Sequence, residues 1–113
     1  MPDRLSSQAY FVLLALGEET RHGYAMIQRF AELTGGTEEL LPGTLYATLA
    51  RMVETGLIQE ARAPRGAESG GPPRRHYKVT PIGRAQADAE TERLRRLVRA
   101  ARRAWSGEPG LAR

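Results

Sequence analysis

Between Ala63 and Pro73 the chain passes through three glycines and three prolines in eleven residues, and this stretch dictates the plan of everything around it. Proline locks φ and removes a backbone donor, and glycine loses the most entropy on ordering, so neither a helix nor a strand ladder continues through such a segment. A loop is expected there. On its far side, Tyr77 and Val79 fall on one side of a strand and His76 and Lys78 on the other. On its near side Leu57 to Arg62 contains no helix start. The two flanks are therefore expected to pair as a two-stranded β-hairpin with a long loop.

Ahead of that hairpin the apolar period is helical. Ser6 and Ser7 precede a nearly continuous apolar run to Leu16, and Gly17 follows, which is the order of N-cap, buried helix and C-terminal glycine. Thr20 is a candidate cap for a second helix in which Tyr24, Ile27, Phe30 and Ala31 recur before Gly35 and Gly36 end it. Pro42 starts a third, with Leu45, Leu49, Met52 and Val53 on one face and Gly56 as the stop. Its opposite face is Thr44, Ala47, Thr48, Arg51 and Thr55.

Beyond the hairpin, Thr80 and Pro81 form an N-cap and N1 pair for a last helix running to about Trp105. Leu94, Leu97, Val98, Ala101, Ala104 and Trp105 make an apolar stripe along it, and six arginines from Arg93 to Arg103 cover the rest. Residues 106–113 are expected to be a disordered tail. The order is that of a winged helix-turn-helix followed by an extra helix: a mainly α fold, with residues 1–80 as the DNA-binding region and 81–105 as a dimerisation helix in the same domain. In such a fold the third helix enters the major groove and the loop between strands lies against the neighbouring backbone.

A chain of 113 residues is one domain. At this length only roughly 60 to 70% of the unfolded surface is hidden on folding, which favours shared burial in an oligomer. The chain has no cysteine, which excludes disulfide scaffolds, thiol nucleophiles and cysteine-liganded zinc. No apolar run reaches the roughly 20 residues of a bilayer span and no signal-peptide pattern precedes the first helix, so a cytoplasmic location is expected. Charge is segregated. Residues 1–56 carry four arginines against seven acids, residues 57–80 five cations against two acids, and residues 81–113 eight arginines against four acids.

Catalysis finds little support. His22 and His76 are the only imidazoles, neither has a metal or nucleophile partner at motif spacing, and the segment GGTEELLPGT lacks the lysine of a phosphate-binding loop. No enzyme activity, cofactor or metal is expected. Short side chains at Thr44 and Thr48 would let the third helix sit deep in a groove while Arg51 reaches a guanine edge or a phosphate; an ordinary solvent face is the alternative. Arg62, Arg65, Arg74, Arg75 and Lys78 cluster at the wing, where cations on a loose loop suit phosphate contact, although a solvated hairpin explains them on composition alone. His22 and Gly23 open the second helix, where first-turn amides can hold a phosphate, with Tyr24 beside them as a further DNA-contact candidate; for Tyr24 the rival is a core aromatic. Leu94, Leu97, Val98, Ala101 and Trp105 read as the seam of a homodimer. A membrane-surface helix is the weaker alternative, because small apolar residues ringed by arginine insert poorly.

Three runs together, HGYAMIQRF from His22, GTLYATLARMVETGLI from Gly43 and RRHYKVTPIG from Arg74, resemble the PadR family of bacterial transcriptional regulators, in the short class with one C-terminal helix. The resemblance covers roughly residues 6–100. It implies a homodimer that binds double-stranded operator DNA of inverted-repeat character and represses transcription until a hydrophobic small-molecule effector releases it, and it makes the Tyr46 hydroxyl a phosphate contact, packing of Tyr46 against the second helix being the alternative. The chain departs from the usual family pattern at Ala47, Val53 and His76. Drug-sensing relatives stack flat ligands on a tryptophan in the middle of the last helix, where this chain has Leu94, its only tryptophan being Trp105. The rival from another class is a winged-helix module that binds a protein or ligand and leaves DNA alone.

Overall fold

The structure, a computed structural model, describes residues 4–64 and 74–107. Seven elements follow in order: α1 (Ser7–Leu16), β1 (Arg21–His22), α2 (Gly23–Thr34), α3 (Pro42–Glu54), β2 (Ile58–Ala61), β3 (His76–Val79) and α4 (Pro81–Ala104). Mainly α content with a small β wing is as the sequence implied. Arg65 and residues 108–113 lie outside the described residues, so the expectations for the wing tip and the tail have no structural counterpart.

Local chemistry accounts for the helix ends. The Ser6 hydroxyl accepts from the amide of Ala9 to start α1, and Gly17 closes it at φ 56°, its N–H donating to the Leu13 carbonyl. Arg21 adds a second closure, its Nη1 donating to the Ala15 and Leu16 carbonyls at 3.0 and 2.8 Å, so a cation sits where the helix leaves its acceptors orphaned. At α2 the structure corrects the sequence reading. His22, not Thr20, is the cap: its Nδ1 accepts from the Ala25 amide at 3.2 Å.

The hairpin is also larger than expected. It is the core of a three-stranded antiparallel sheet in the order β1-β3-β2, with Arg21 opposite Tyr77 and His22 opposite His76 on one side, and Ile58 opposite Val79 and Glu60 opposite Tyr77 on the other. A two-residue strand is too short to show a period in sequence. Its presence makes β3 the central strand, which is why His76, placed outside with Lys78 by simple alternation, is only 7% exposed. The His76 Nδ1–H donates to the Arg74 carbonyl at 3.0 Å, and its ring meets that of His22 edge-on at 5.2 Å.

One core joins α1, α2, α3 and the sheet through Val12, Leu16, Met26, Phe30, Leu45, Leu49, Met52 and Ile58. Two residues expected on apolar faces are instead exposed: Tyr24 on α2 and Val53 on α3. Ala31 is exposed as well. In each helix the buried line is narrower than the apolar letters suggest, because Met26 with Phe30, and Leu45 with Leu49 and Met52, already fill the contact.

The base of the wing is locked to the start of α4. The Thr80 hydroxyl reaches the carbonyls of Gly56 and Leu57 and accepts from the amide of Gly83. Gly83 packs so closely that an added Cβ would overlap the Leu57 carbonyl. Further along, the Thr91 hydroxyl donates to the Ala87 carbonyl, so the Tyr10 hydroxyl donates to Thr91 Oγ1 across 2.6 Å and ties α1 to α4. From Arg95 onward every described residue of α4 is exposed. The outcome is an elongated molecule, 57 × 33 × 24 Å with a radius of gyration of 17.0 Å, against roughly 13 Å for a compact domain of about this length.

Candidate nucleic-acid interface

Burial of Leu45, Leu49 and Met52 fixes the rotation of α3 and divides its remaining surface into two flanks. On the flank toward α2 and the wing lie Tyr46, Ala50 and Val53; on the flank toward α4 lie Thr48, Arg51 and Thr55. The candidate residues separate accordingly.

The first flank forms one wall of an open groove of about 740 Å³, whose other walls are the first turn of α2 and the wing. Here the structure brings together His22, Tyr24, Tyr46, Arg74 and Arg75, five side chains named from three separate sequence runs. Tyr24 and Tyr46 are 58% and 65% exposed, so neither is a core aromatic. His22 Nδ1 accepts the Ala25 amide, and Arg74 Nη1 lies 3.3 Å from Nε2 of the same ring. Two guanidiniums and two phenolic hydroxyls thus border one concavity beside the imidazole, an arrangement suited to phosphate oxygens. The 3.5 Å ion pair of Arg75 with Glu60 is exposed on both sides and leaves Arg75 little constrained.

Gly23, singled out in the sequence for the amides of the first turn of α2, has a second role in packing. A Cβ at this position would meet the Tyr46 hydroxyl at 3.0 Å and Leu45 Cδ2 at 3.3 Å, so α2 and α3 approach closely because position 23 has no side chain. The sequence reading placed Gly23 at the opening of α2, where the structure has it, but gave no sign of its close approach to α3.

The other candidates lie apart from this groove. Thr44 and Arg51 are exposed and Thr48 half-buried, with Thr48 and Arg51 lining a second groove against α4. Lys78 is exposed, but strand alternation sends it to the face of the sheet opposite Tyr77 and Glu60. Arg62 is exposed near the end of β2. On α4, Leu94 is half-buried while Leu97, Val98, Ala101 and Trp105 are exposed along one stripe, Trp105 at 79%. Among the described residues no three His, Asp or Glu side chains gather as a metal site, and no helix is long and apolar enough to cross a membrane.

The family model described as the transcriptional regulator PadR-like family matches residues 12–89. The chain belongs to the PadR-like family. That stretch contains both flanks of α3, the described wing and the α4 lock, so the resemblance carried by the three sequence runs is upheld, and the family is one of regulators rather than enzymes. An uncharacterized protein of Lysinibacillus sphaericus is 30% identical over 74 residues, which is 66% of this chain and 65% of that protein; the PadR-like chain thus spans about two thirds of its curated relative. Among solved structures, a PadR family transcription regulator from Clostridium difficile R20291 superposes with a TM-score of 0.68 at 20% identity, covering 90% of this chain and 100% of the other. Bacillus subtilis PadR, solved in complex with operator DNA, superposes with a TM-score of 0.66 at 18% identity, covering 80% of this chain and 49% of that one. At such identities these two structures speak to the fold, which is shared.

Proposed function

We propose that this PadR-like protein is a homodimeric repressor that binds double-stranded operator DNA of inverted-repeat character, its two α3 helices occupying successive major grooves roughly 34 Å apart. The observation that carries the reading is the convergence of His22, Tyr24, Tyr46, Arg74 and Arg75 on the groove beside α3. The solved operator complex of Bacillus subtilis PadR, of the same fold, supports it. In this arrangement Arg74, Arg75 and the tyrosines hold backbone phosphates, while Thr44, Thr48 and Arg51 meet base edges. The exposed α4 stripe supports the dimer, since Leu97, Val98 and Trp105 are each more than half exposed. Release of DNA by a small hydrophobic effector belongs to the same reading.

Mobility shifts on a duplex from the gene's own upstream region test this. Binding is expected to weaken steeply with salt, because each cation on a phosphate replaces condensed counterions. Arg51→Ala is expected to lose about 1 to 3 kcal/mol on the specific duplex only, whereas Arg74→Ala weakens binding to all duplexes alike and lowers the salt slope. No salt-sensitive binding to any duplex would refute the reading and leave the interaction module in its place.

A further inference from the structure

The least exposed line of α4 runs through Gly83, Ala87, Glu90 and Leu94 and meets the body of the molecule, where Ala87 and Thr91 border Leu13 and Leu14 of α1. Leu97, Val98 and Ala101 continue that line on the exposed outer half. The helical period therefore puts Arg95, Arg96, Arg99, Arg102 and Arg103 on the opposite side, turned away from the body. This ridge of guanidiniums is about 12 Å long at 1.5 Å per residue, and no acidic residue occurs between Arg93 and Gly107. Its charge is not that of a self-compensated solvent face. Up to Arg93 each arginine of α4 has a carboxylate, Arg84 meeting Glu18 and Asp88, and Arg93 meeting Glu90. On the ridge Arg95 has Glu92 at 3.7 Å, while Arg96, Arg99, Arg102 and Arg103 have no carboxylate partner among the described residues. Arg95 with Arg99 and Arg99 with Arg103 are like charges at i, i+4, which works against the helix. The helix dipole offsets this only for Arg102 and Arg103 in the last turn. A polyanion offsets it along the whole ridge.

We propose that the arginine ridge of α4 is a second, sequence-independent binding surface for the phosphates of duplex DNA. A duplex carries one negative charge per roughly 1.7 Å of its axis, so about seven phosphates face a ridge of this length, and guanidinium matches phosphate oxygens in paired hydrogen bonds. A stiff phosphate ladder suits a stiff helix, whereas an acidic peptide would first have to be ordered on it at a cost in entropy. The ridge shares no residue with either groove beside α3 and points away from the body, so the duplex it holds is a different segment from one at α3. A consequence rests on the DNA reading given above: a dimer with operator at its α3 helices still presents both ridges, and bridges that operator to another duplex.

Capture of a fluorescent duplex of unrelated sequence by bead-bound upstream duplex carrying the full chain reads the bridge. Wild type is expected to capture it at about 50 mM salt and to release it by about 200 mM. Arg96→Gln with Arg99→Gln and Arg103→Gln, exposed changes to a good helix former, should cut capture at least about tenfold and lower its salt slope by about 3. The same variant should shift the upstream duplex alone within about threefold of wild type, since the α3 grooves are untouched. The corresponding triple lysine variant should keep capture within about threefold, because the charge is retained. Capture by the glutamine variant equal to that of wild type, or a loss of upstream-duplex affinity as large as the loss of capture, would overturn the ridge. So would wild type preferring phosphatidylserine vesicles or polyglutamate to the unrelated duplex. Failure of the DNA reading is separately visible: with Arg51→Ala and Arg74→Ala together, affinity for the upstream duplex would not fall. In that background the ridge should still shift the unrelated duplex at low salt, and lose it on the three glutamine changes.

Discussion

The two halves of α4 are one continuous helix under opposite conditions. Its first eleven residues are held at three levels, by the Thr80 cap on the wing base, by Gly83 seated on the Leu57 carbonyl, and by Tyr10 reaching Thr91. Its last ten, from Arg95 to Ala104, touch solvent on every side while still presenting Leu97, Val98 and Ala101 in one line with Trp105. An isolated helix of that length is marginal in water, and a half-bare apolar stripe persists only when something covers it. The contrast says where each half is specified. The inner half is fixed by this chain and sets the angle at which α4 leaves the winged helix; the outer half has the bare stripe that the proposed homodimer would cover.

Breaking the inner half should have the largest effect. Gly83→Ala forces a methyl into the Leu57 carbonyl, a backbone atom that cannot move without shifting β2, so we expect a loss of more than about 4 kcal/mol, enough to prevent folding of a domain this small. Loss of the thermal transition by circular dichroism, for Gly83→Ala but not for the nearby Ala85→Gly, checks it. Next comes the outer half. Leu97→Ser with Val98→Ser removes half-exposed apolar side chains from both copies, worth about 4 kcal/mol in total and so about a thousandfold in the dimer dissociation constant. Sedimentation should find monomers whose wing and core remain folded. If the double variant stays dimeric, the outer half is not the seam.

The same contrast separates what was legible in the sequence from what was not. Helix order, the position of the wing, the Thr80–Pro81 start and the bare stripe on α4 all follow from period, caps and punctuation, which are local. The miscalculated features were tertiary. β1 has only two residues and exists because Arg21 and His22 find partners on β3, fifty-odd positions away. His22 as the α2 cap displaced Thr20 because an imidazole nitrogen substitutes for the usual hydroxyl. On α3 the sequence set Tyr46 apart from the polar face of Thr44, Thr48 and Arg51, but only the fold shows that Tyr46 joins His22, Tyr24 and Arg74 in one groove while Thr48 and Arg51 face α4.

Intermediate effects sharpen the inner clamp. Thr80→Val keeps the shape but removes the cap on the Gly83 amide and the donor to the Gly56 and Leu57 carbonyls, at a cost of about 2 kcal/mol. Tyr10→Phe removes one hydroxyl pair and should cost about 0.5 to 1 kcal/mol, measured by urea unfolding with an unchanged m-value.

The smallest effect compares ion pairs on the two halves directly. Glu90 is held below the ordinary carboxylate range, first by the hydrogen bonds from Arg93 and then by the charges of Arg93 and Arg4, which outweigh the opposing cost of burial. A carboxyl with a depressed folded-state pKa contributes stability at neutral pH, and that contribution is lost as pH falls through and below about 4. Glu92, spaced identically from Arg95 on the outer half, faces it at 3.7 Å with both side chains at least half exposed, where water screens the attraction. Glu90→Gln should therefore flatten part of the fall in melting temperature between about pH 5 and pH 3 relative to wild type, while Glu92→Gln leaves the curve unchanged. An equal response from the two variants would mean that the halves of α4 differ in packing alone and not in their electrostatics.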